Sequence, residues 1–368
     1  MQHKEMLMQM QTLQFVKKVA PPWTTGSIDT PVGSVFRASP DWSRPDYWGM
    51  IKSRSGAFRM NYAVSPGLYA VGDPTKDSDV FVTANYKLTF DILRRELKGM
   101  HAWILVLDTK SINVWCAAGK GTFGTDELVN RIVTTKLDAV VGHRRLILPQ
   151  LGAVGVNAAD VQKRTGFRIS FGPVQAKDIS TYVQAGYKKT IEMRTITFPM
   201  LDRLVLTPME INPAMKKFPW LAAGILLFFG LEPQGVLFKQ AWFGGLPYLI
   251  LSLASVLGGA FVTPALLPFI PFRSFAIKGW LVGLLAVFAV HQLLHLPAQG
   301  DTIAMIVSYL FFPVMSSYIA LQFTGSTTYT GMSGVKKELK IGIPVYIGAS
   351  GISLVLLIVL KVKEWGLL

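Results

Sequence analysis

Cys116 is the one cysteine in 368 residues, and it stands in the run Asn113-Val114-Trp115-Cys116-Ala117-Ala118-Gly119-Lys120-Gly121-Thr122-Phe123-Gly124. A solitary thiol cannot close an intramolecular disulfide, build an all-cysteine zinc site or hold an iron–sulfur cluster. Three roles stay open: a small buried hydrophobe, a nucleophile, or the single protein ligand of a metal that brings its other ligands along. The run Gly119-Lys120-Gly121-Thr122 suggests a phosphate loop, but that motif needs Gly five residues before Gly119 and Ser or Thr directly after the Lys. Val114 and Gly121 occupy those positions. A dinucleotide fingerprint fails as well, because Trp115 and Cys116 separate the glycines from the preceding strand. A cysteine nucleophile needs a partner histidine, and His101 and His143 lie beside strand ends at no informative spacing. His291 and His295 are four apart on one helical face near the outer end of an apolar segment. They can bind a metal, relay protons, or pack at the interface beside Pro297. Met305 and Met315 read as packing.

The elements that must position Cys116 are legible from Asp79 onward. Strand patterns at 80–83, 101–107, 145–148 and 168–171 alternate with helical spacing at 86–97, 125–137, 157–165 and 175–185, with Thr125 and Asn157 as N-caps. This alternation predicts a doubly wound, Rossmann- or flavodoxin-like α/β domain with a mostly parallel sheet. Ligands of such sheets bind beyond the carboxyl ends of the strands, here 84–89, 109–124, 149–155 and 172–176. Asn113 can cap a short helix containing Val114 to Ala118, which puts Cys116 in its first turn. Residues 1–78 show no sustained periodicity and read as an irregular arm of unassigned function.

The second half belongs to a different solvent. The chain is 51% hydrophobic, its mean hydropathy is +0.37, and the apolarity is concentrated after Lys217. About 20 apolar residues cross a bilayer as a helix. Five segments qualify: 218–238, 246–270, 275–296, 303–323 and 341–360. Glu232, Pro233 and Gln234 interrupt the first, and Pro264 and Pro268 make the end of the second a kinked or re-entrant piece. The expected organisation is an arm at 1–78, an α/β domain at 79–200, a linker at 201–217 and a transmembrane domain at 218–368 with a cytoplasmic loop at 324–340. Lys216, Lys217, Arg273, Lys278, Lys336, Lys337 and Lys340 fall on one side, against Lys239, Lys361 and Lys363 on the other. That bias predicts a multi-pass cytoplasmic-membrane protein with its α/β domain in the cytoplasm and its C-terminus outside. Residues 1–20 lack the apolar stretch of a signal peptide, so the thiol is expected in a reducing compartment. The formal charge of +15 fits basic residues facing anionic lipid, and no nucleic-acid motif accompanies it.

The octapeptide Asn113–Lys120 resembles the signature of the corrinoid protein of bacterial and archaeal mercury methylation, a family that joins a cytosolic corrinoid-binding domain to a small helical membrane domain. The wider segment resembles the corrinoid domain of the corrinoid iron–sulfur protein of acetyl-CoA metabolism. Supporting pieces are Val82-Thr83-Ala84-Asn85-Tyr86-Lys87-Leu88-Thr89, Leu148-Pro149-Gln150-Leu151-Gly152 and Phe171-Gly172-Pro173-Val174-Gln175-Ala176-Lys177-Asp178. The loop from Phe323 to Thr330, continuing to Ser333-Gly334-Val335, resembles a further segment of those proteins. Together these pieces cover most of 80–188 and one loop. The apolar segments match the first family, and the soluble relative both holds its cluster with several cysteines and lacks a cysteine in the cap segment.

The resemblance implies a cobalamin-like corrinoid whose cobalt takes the Cys116 thiolate as lower axial ligand from a cap helix below the ring. It implies further that Ala117 and Ala118 leave room for the flat macrocycle, that Gly119 and its neighbours permit a sharp turn, and that Trp115 supports the helix against the sheet. Lys120 then meets a corrin propionate or reaches solvent, and Thr89 and Ala176 match family positions near the ring. The implied reaction moves a methyl group from methyl-Co(III) corrinoid to inorganic Hg(II). Implied partners are a ferredoxin-like protein with two iron–sulfur clusters, as reductant and possible Hg(II) donor, and a folate-linked methyl donor. Because Hg(II) prefers soft thiolates and the one thiol here is committed to cobalt, mercury must arrive on partner cysteines or small thiols. Two other readings are a corrinoid methyl carrier of carbon metabolism and a transporter or receptor with a cytosolic α/β sensor domain.

Overall fold

The computed structural model describes residues 20–295, 301–327 and 329–367. The first nineteen residues of the expected arm, Leu296 and Pro297 at the close of the third expected span, and Thr328 of the loop motif lie outside the described residues. The chain divides into two units, Met1–Ser53 with Ala57–Thr195, and Arg54–Gly56 with Ile196–Leu368.

In the first unit, strands β1 (Thr24–Thr30), β2 (Gly33–Ala38), β3 (Gly67–Val71), β4 (Val80–Ala84), β5 (Ala102–Leu107), β6 (Arg145–Leu148) and β7 (Arg168–Phe171) form one mixed sheet. Its order is β1-β2-β3-β5-β4-β6-β7. The four strands β5, β4, β6 and β7 are parallel neighbours, β3 runs antiparallel to β5, and the β1–β2 hairpin extends that edge. The parallel strands β4, β5 and β6 are apolar on both faces, as strands covered on two sides require. Val80, Val82, Leu105, Leu107, Leu146 and Leu148 point to one core, whereas Phe81, Ile104, Val106 and Ile147 point to the other. The principal helices of this unit are α1 (Arg44–Ser53), α2 (Lys87–Glu96), α3 (Val114–Lys120), α4 (Thr125–Thr134), α5 (Ala158–Thr165) and α6 (Ile179–Gln184). Residues from α3, α4 and α5 cover the first core and residues from α2 and α6 the second, so the domain is wound on both faces.

The region expected as an irregular arm contributes β1, β2 and β3 to this sheet. Its strands escaped the periodicity test because the hairpin is polar and half exposed, with little apolar alternation to read. It is also tied down by charge. Asp46 of α1 meets Lys87 Nζ at 3.1 Å and Arg94 at 2.8 Å, while Asp91 meets the same two cations at 2.6 and 2.8 Å. All four are buried, and Lys87 Nζ also lies 5.5 Å from the Trp23 and Tyr62 rings. Two carboxylates and two cations balance, the condition under which buried charge is tolerable. Thr125 is not an N-cap: Gly124 holds that position, and the Thr125 hydroxyl accepts from Asn157 N at 2.9 Å.

The second unit is helical: α7 (Pro208–Gly230), α8 (Phe238–Leu257), α9 (Phe275–Leu294), α10 (Thr302–Gln322) and α11 (Met332–Glu364). Among the described residues, four helical stretches are long and apolar enough to cross a membrane: Phe238–Ala265, Phe275–Leu294, Thr302–Gly325 and Ser333–Glu364. The sequence allows four to six spans with five the best count, and the described residues give four, the lower end of that range. The first expected span fails because α7 stops at Gly230 and gives way to a hairpin of Leu231–Glu232 and Gly235–Val236, while its N-terminal half carries Glu210, Lys216 and Lys217. The second expected span begins earlier, at Phe238, and passes through a π-helical turn at Gly258–Val262 before ending at Ala265. Helices α9 and α10 approach closely at small residues. A Cβ on Gly279 would lie 2.4 Å from Ala320 Cβ, and one on Gly283 would lie 2.6 Å from Ser316 Cβ. Across the same contact the Ser316 hydroxyl donates to Gly279 O at 2.8 Å.

Two of the charges counted for orientation are structural. Lys278 is buried and donates to Leu267 O. Lys361 is buried against Phe229 O, Glu232 and Glu364, each at 3.1 Å. The histidine pair also separates: His295 leaves the helix in a left-handed C-cap (φ 56°), so it does not share a helical face with His291. Among the described residues no three His, Cys, Asp or Glu side chains come together as a metal site.

Candidate functional site

The register of the parallel strands sets the site. Ala84 pairs with Leu107 and Leu148 with Phe171, so β4 and β5 end level with each other, as do β6 and β7. The segments that follow form one rim at the carboxyl edge of the sheet. There a cavity of about 290 Å³ opens, lined by Thr83, Thr89 and Leu93 from the β4–α2 region, by Asn113, Val114 and Trp115, and by loop residues including Pro149, Leu151, Gly172, Pro173 and Ala176. The lining is mostly apolar with a few polar groups, the ordinary make-up of a small-molecule site.

Helix α3 forms one wall. Asn113 has an extended backbone, and its Oδ1 accepts from Cys116 N at 3.0 Å, satisfying one of the N–H groups the first turn leaves free. Gly121 closes the helix with φ 80°, a conformation that glycine adopts without steric cost. Cys116 is half-buried and has no disulfide partner. It sits in the first turn, beside the lining residues and not among them.

The loop before α3 is held by a residue to which sequence reasoning gave no role. Asn85, immediately after β4, accepts at Oδ1 from Thr109 N at 3.1 Å, from the Thr109 hydroxyl at 2.9 Å and from Ser111 N at 3.0 Å. Lys110 and Ser111 both adopt left-handed backbone (φ 58° and 60°), which costs a non-glycine residue about 1 kcal/mol or more. Asn85 stabilises that strained turn and thereby fixes where α3 begins. On the same loop, a hydrogen bond from Lys110 holds the Asp108 carboxyl below the usual carboxylate range. The position of Asn85 directly after the end of β4 was the available signal. Lys189 was missed too: its Nζ donates to Gln150 Oε1 at 2.5 Å and to Gly172 O at 3.4 Å, tying the loops after β6 and β7 together. Burial, with Arg194 adding repulsion, pulls its ammonium below the ordinary lysine range.

The residues expected at the site divide into three groups. Thr89, Asn113, Val114, Trp115 and Ala176 line the cavity. Ala117 and Ala118 do not; they are buried in the core against the sheet. Gly155 packs close to Ala118: a Cβ on Gly155 would fall 3.0 Å from Ala118 Cα and 2.2 Å from Phe123 O. Gly119 and Lys120 are exposed, and nothing lies within 4 Å of a Cβ placed on Gly119. Trp115 is 37% exposed and lines the cavity.

These features define a doubly wound domain with a cavity at the carboxyl edge of its parallel strands and one half-buried thiol beside the residues that line it. Residues 58–183 match the family model described as CO dehydrogenase/acetyl-CoA synthase delta subunit. Similar curated proteins are the acetyl-CoA decarbonylase/synthase complex subunits gamma of Archaeoglobus fulgidus, 32% identical over 131 residues (35% of this chain, 27% of the relative), and of Methanopyrus kandleri, 30% identical over 123 residues (33% and 26%). The corresponding subunit of Methanocaldococcus jannaschii is 28% identical over 136 residues (36% and 28%). The chain thus spans about a quarter of the length of these relatives. The family match takes in β3 to α6, including α3 and the cavity, and ends before the apolar helices.

Proposed function

We propose that this chain is a membrane-anchored, corrinoid-dependent methyltransferase whose methyl acceptor is inorganic Hg(II). The observation that carries the reading is the single half-buried thiol in the first turn of an Asn113-capped helix, next in sequence to Trp115, which lines the cavity at the sheet's carboxyl edge. The donor set fits a corrinoid. One soft ligand with no neighbouring His, Cys, Asp or Glu cluster among the described residues suits a metal that carries its remaining ligands in a macrocycle. When bound, the corrinoid supplies a cobalt centre able to accept and donate a methyl group. Cys116 Sγ would be the protein's ligand holding the cobalt, and Asn113 fixes the turn that carries it. Thr89, Val114, Trp115 and Ala176 supply the surface against which a flat cofactor rests, and Asn85 keeps the preceding loop in register. Four apolar helices supply the membrane anchor. With Cys116 engaged, mercury would arrive on partner cysteines or small thiols, reducing equivalents from a ferredoxin-like protein with two clusters, and the methyl group from a folate-linked donor.

A second reading, a methyl carrier of carbon metabolism, is favoured by the names of the relatives, which belong to acetyl-CoA decarbonylase/synthase. Membranes containing this chain and a cluster-bearing reductant protein separate the two. Methylmercury formed from Hg(II) and a methyl-folate donor supports the first reading. Absence of methylmercury, with methyl turnover from the same donor intact, supports the second.

A further inference from the structure

The second unit contains a cavity of about 570 Å³ with a mixed lining. Ile277, Trp280, Ile341 and Val345 form its apolar side, and all four are substantially exposed on α9 and α11, helices long and apolar enough to meet lipid. Arg273 and Lys337 stand on its polar side, and neither forms a salt bridge among the described residues. The one carboxylate in the lining is already engaged. Glu338 accepts from the Ser274 hydroxyl at 2.8 Å, Phe275 N at 3.2 Å and Ala276 N at 2.8 Å, so its charge is spent on the N-terminus of α9. Ser317 and Tyr346, also in the lining, are bonded to each other at 3.0 Å. What remains is a largely apolar lining that also carries two cations with no salt bridge among the described residues, complementary to an amphiphile with an anionic head.

We infer that this cavity is a binding site for an anionic phospholipid, with Arg273 and Lys337 holding the phosphate and the acyl chain lying along Trp280, Ile341 and Val345. The inference rests on the membrane placement of this unit and commits to lipid over free phosphate, because the apolar side of the groove has no use in holding an inorganic ion. A basic side chain at an anionic surface contributes about fivefold in affinity, so removing both cations should cost roughly thirty-fold. The site-specific form of this effect differs from the diffuse attraction of a basic face, to which Lys336 and Lys340 would contribute equally.

The test uses the full chain in lipid nanodiscs. Binding of phosphatidylglycerol is measured by native mass spectrometry for the unaltered protein, for Arg273→Gln/Lys337→Gln, and for the charge-matched control Lys336→Gln/Lys340→Gln. Loss of bound phosphatidylglycerol in the first variant alone, with no competition from millimolar inorganic phosphate, is the expected result. Equal losses in both variants, retention in the first, or displacement by inorganic phosphate would each overturn the inference. Co-flotation with neutral phosphatidylcholine vesicles reports membrane insertion separately, so a failure of the lipid site is distinguishable from a failure of the membrane reading.

Discussion

Replacing Asn85 by alanine should loosen the turn that leads into the Cys116 helix while leaving the sheet intact. One oxygen, Asn85 Oδ1, serves Thr109 N, the Thr109 hydroxyl and Ser111 N. The hydroxyl keeps an alternative acceptor in Ile112 O at 2.7 Å, so the loss falls on the two backbone N–H groups. Thr109 is fully buried, and an orphaned buried donor costs about 1–3 kcal/mol. Ser111 is half-exposed and can turn to water, which makes its share smaller. With the strain at Lys110 and Ser111 no longer offset, the turn should open more easily by about 2–3 kcal/mol, a factor of roughly 30 to 150. Hydrogen exchange read by mass spectrometry measures this directly: peptides spanning 109–116 should exchange faster by that factor, and those covering β5 should be unchanged. Unaltered exchange at 109–116, or a uniform rise across the whole α/β unit, would refute the local role given to Asn85.

Three further outcomes follow from the packing and the buried charges. Gly155→Ala drives a methyl to within 2.2 Å of Phe123 O and 3.0 Å of Ala118 Cα; overpacking of this kind costs about 1–3 kcal/mol, seen as a lower thermal midpoint of the α/β unit, and an unchanged midpoint would show that α3 yields freely. Arg94→Met leaves Asp46 and Asp91 short of a buried cation and should destabilise by about 3–5 kcal/mol in denaturant titrations of the same unit. Acid should act through Asp46: burial pushes its pKa up, but hydrogen bonds from Ser43 and the Arg94 and Lys87 charges outweigh burial and lower it from 3.8 to about 2. A depressed carboxyl stabilises the fold above its unfolded value, and that contribution, about 2 kcal/mol, is lost as pH falls from about 4 to about 2; Asp46→Asn should flatten this limb of the stability profile, and an unchanged limb would remove Asp46 from the account.

How much of this was legible in the sequence depended on whether the signal was local. The strand-and-helix alternation from β4 to α6 is written in apolar spacing, and each element lies within a few residues of its expected place. The Asn113 cap was readable because a cap is a contact between residues three apart. Residues 24–71 were opaque for other reasons: the β1–β2 hairpin is polar, β3 pairs with β2 and β5 across more than thirty residues, and the Asp46 ion cluster reaches Lys87 and Asp91, 41 and 45 positions along the chain. Small residues such as Ala117 and Ala118 are ambiguous in a sequence, because room for a ligand and room for a neighbouring backbone look the same; the fold shows both packed in the core, with Gly155 close to Ala118. The best count of five spans differs from the four described at one place, where hydropathy alone ran the first span through Glu232-Pro233-Gln234 and the chain instead turns.

The central claim is that Cys116 is the protein's ligand to a corrinoid cobalt, and its most direct measurement is the absorption spectrum and cobalt content of the purified protein before and after Cys116→Ala. The account predicts about one corrinoid and one cobalt per unaltered chain, with a spectrum that the substitution shifts while the protein remains folded and membrane-inserted. A protein that carries no corrinoid after reconstitution, or a spectrum indifferent to the loss of the thiol, would contradict it.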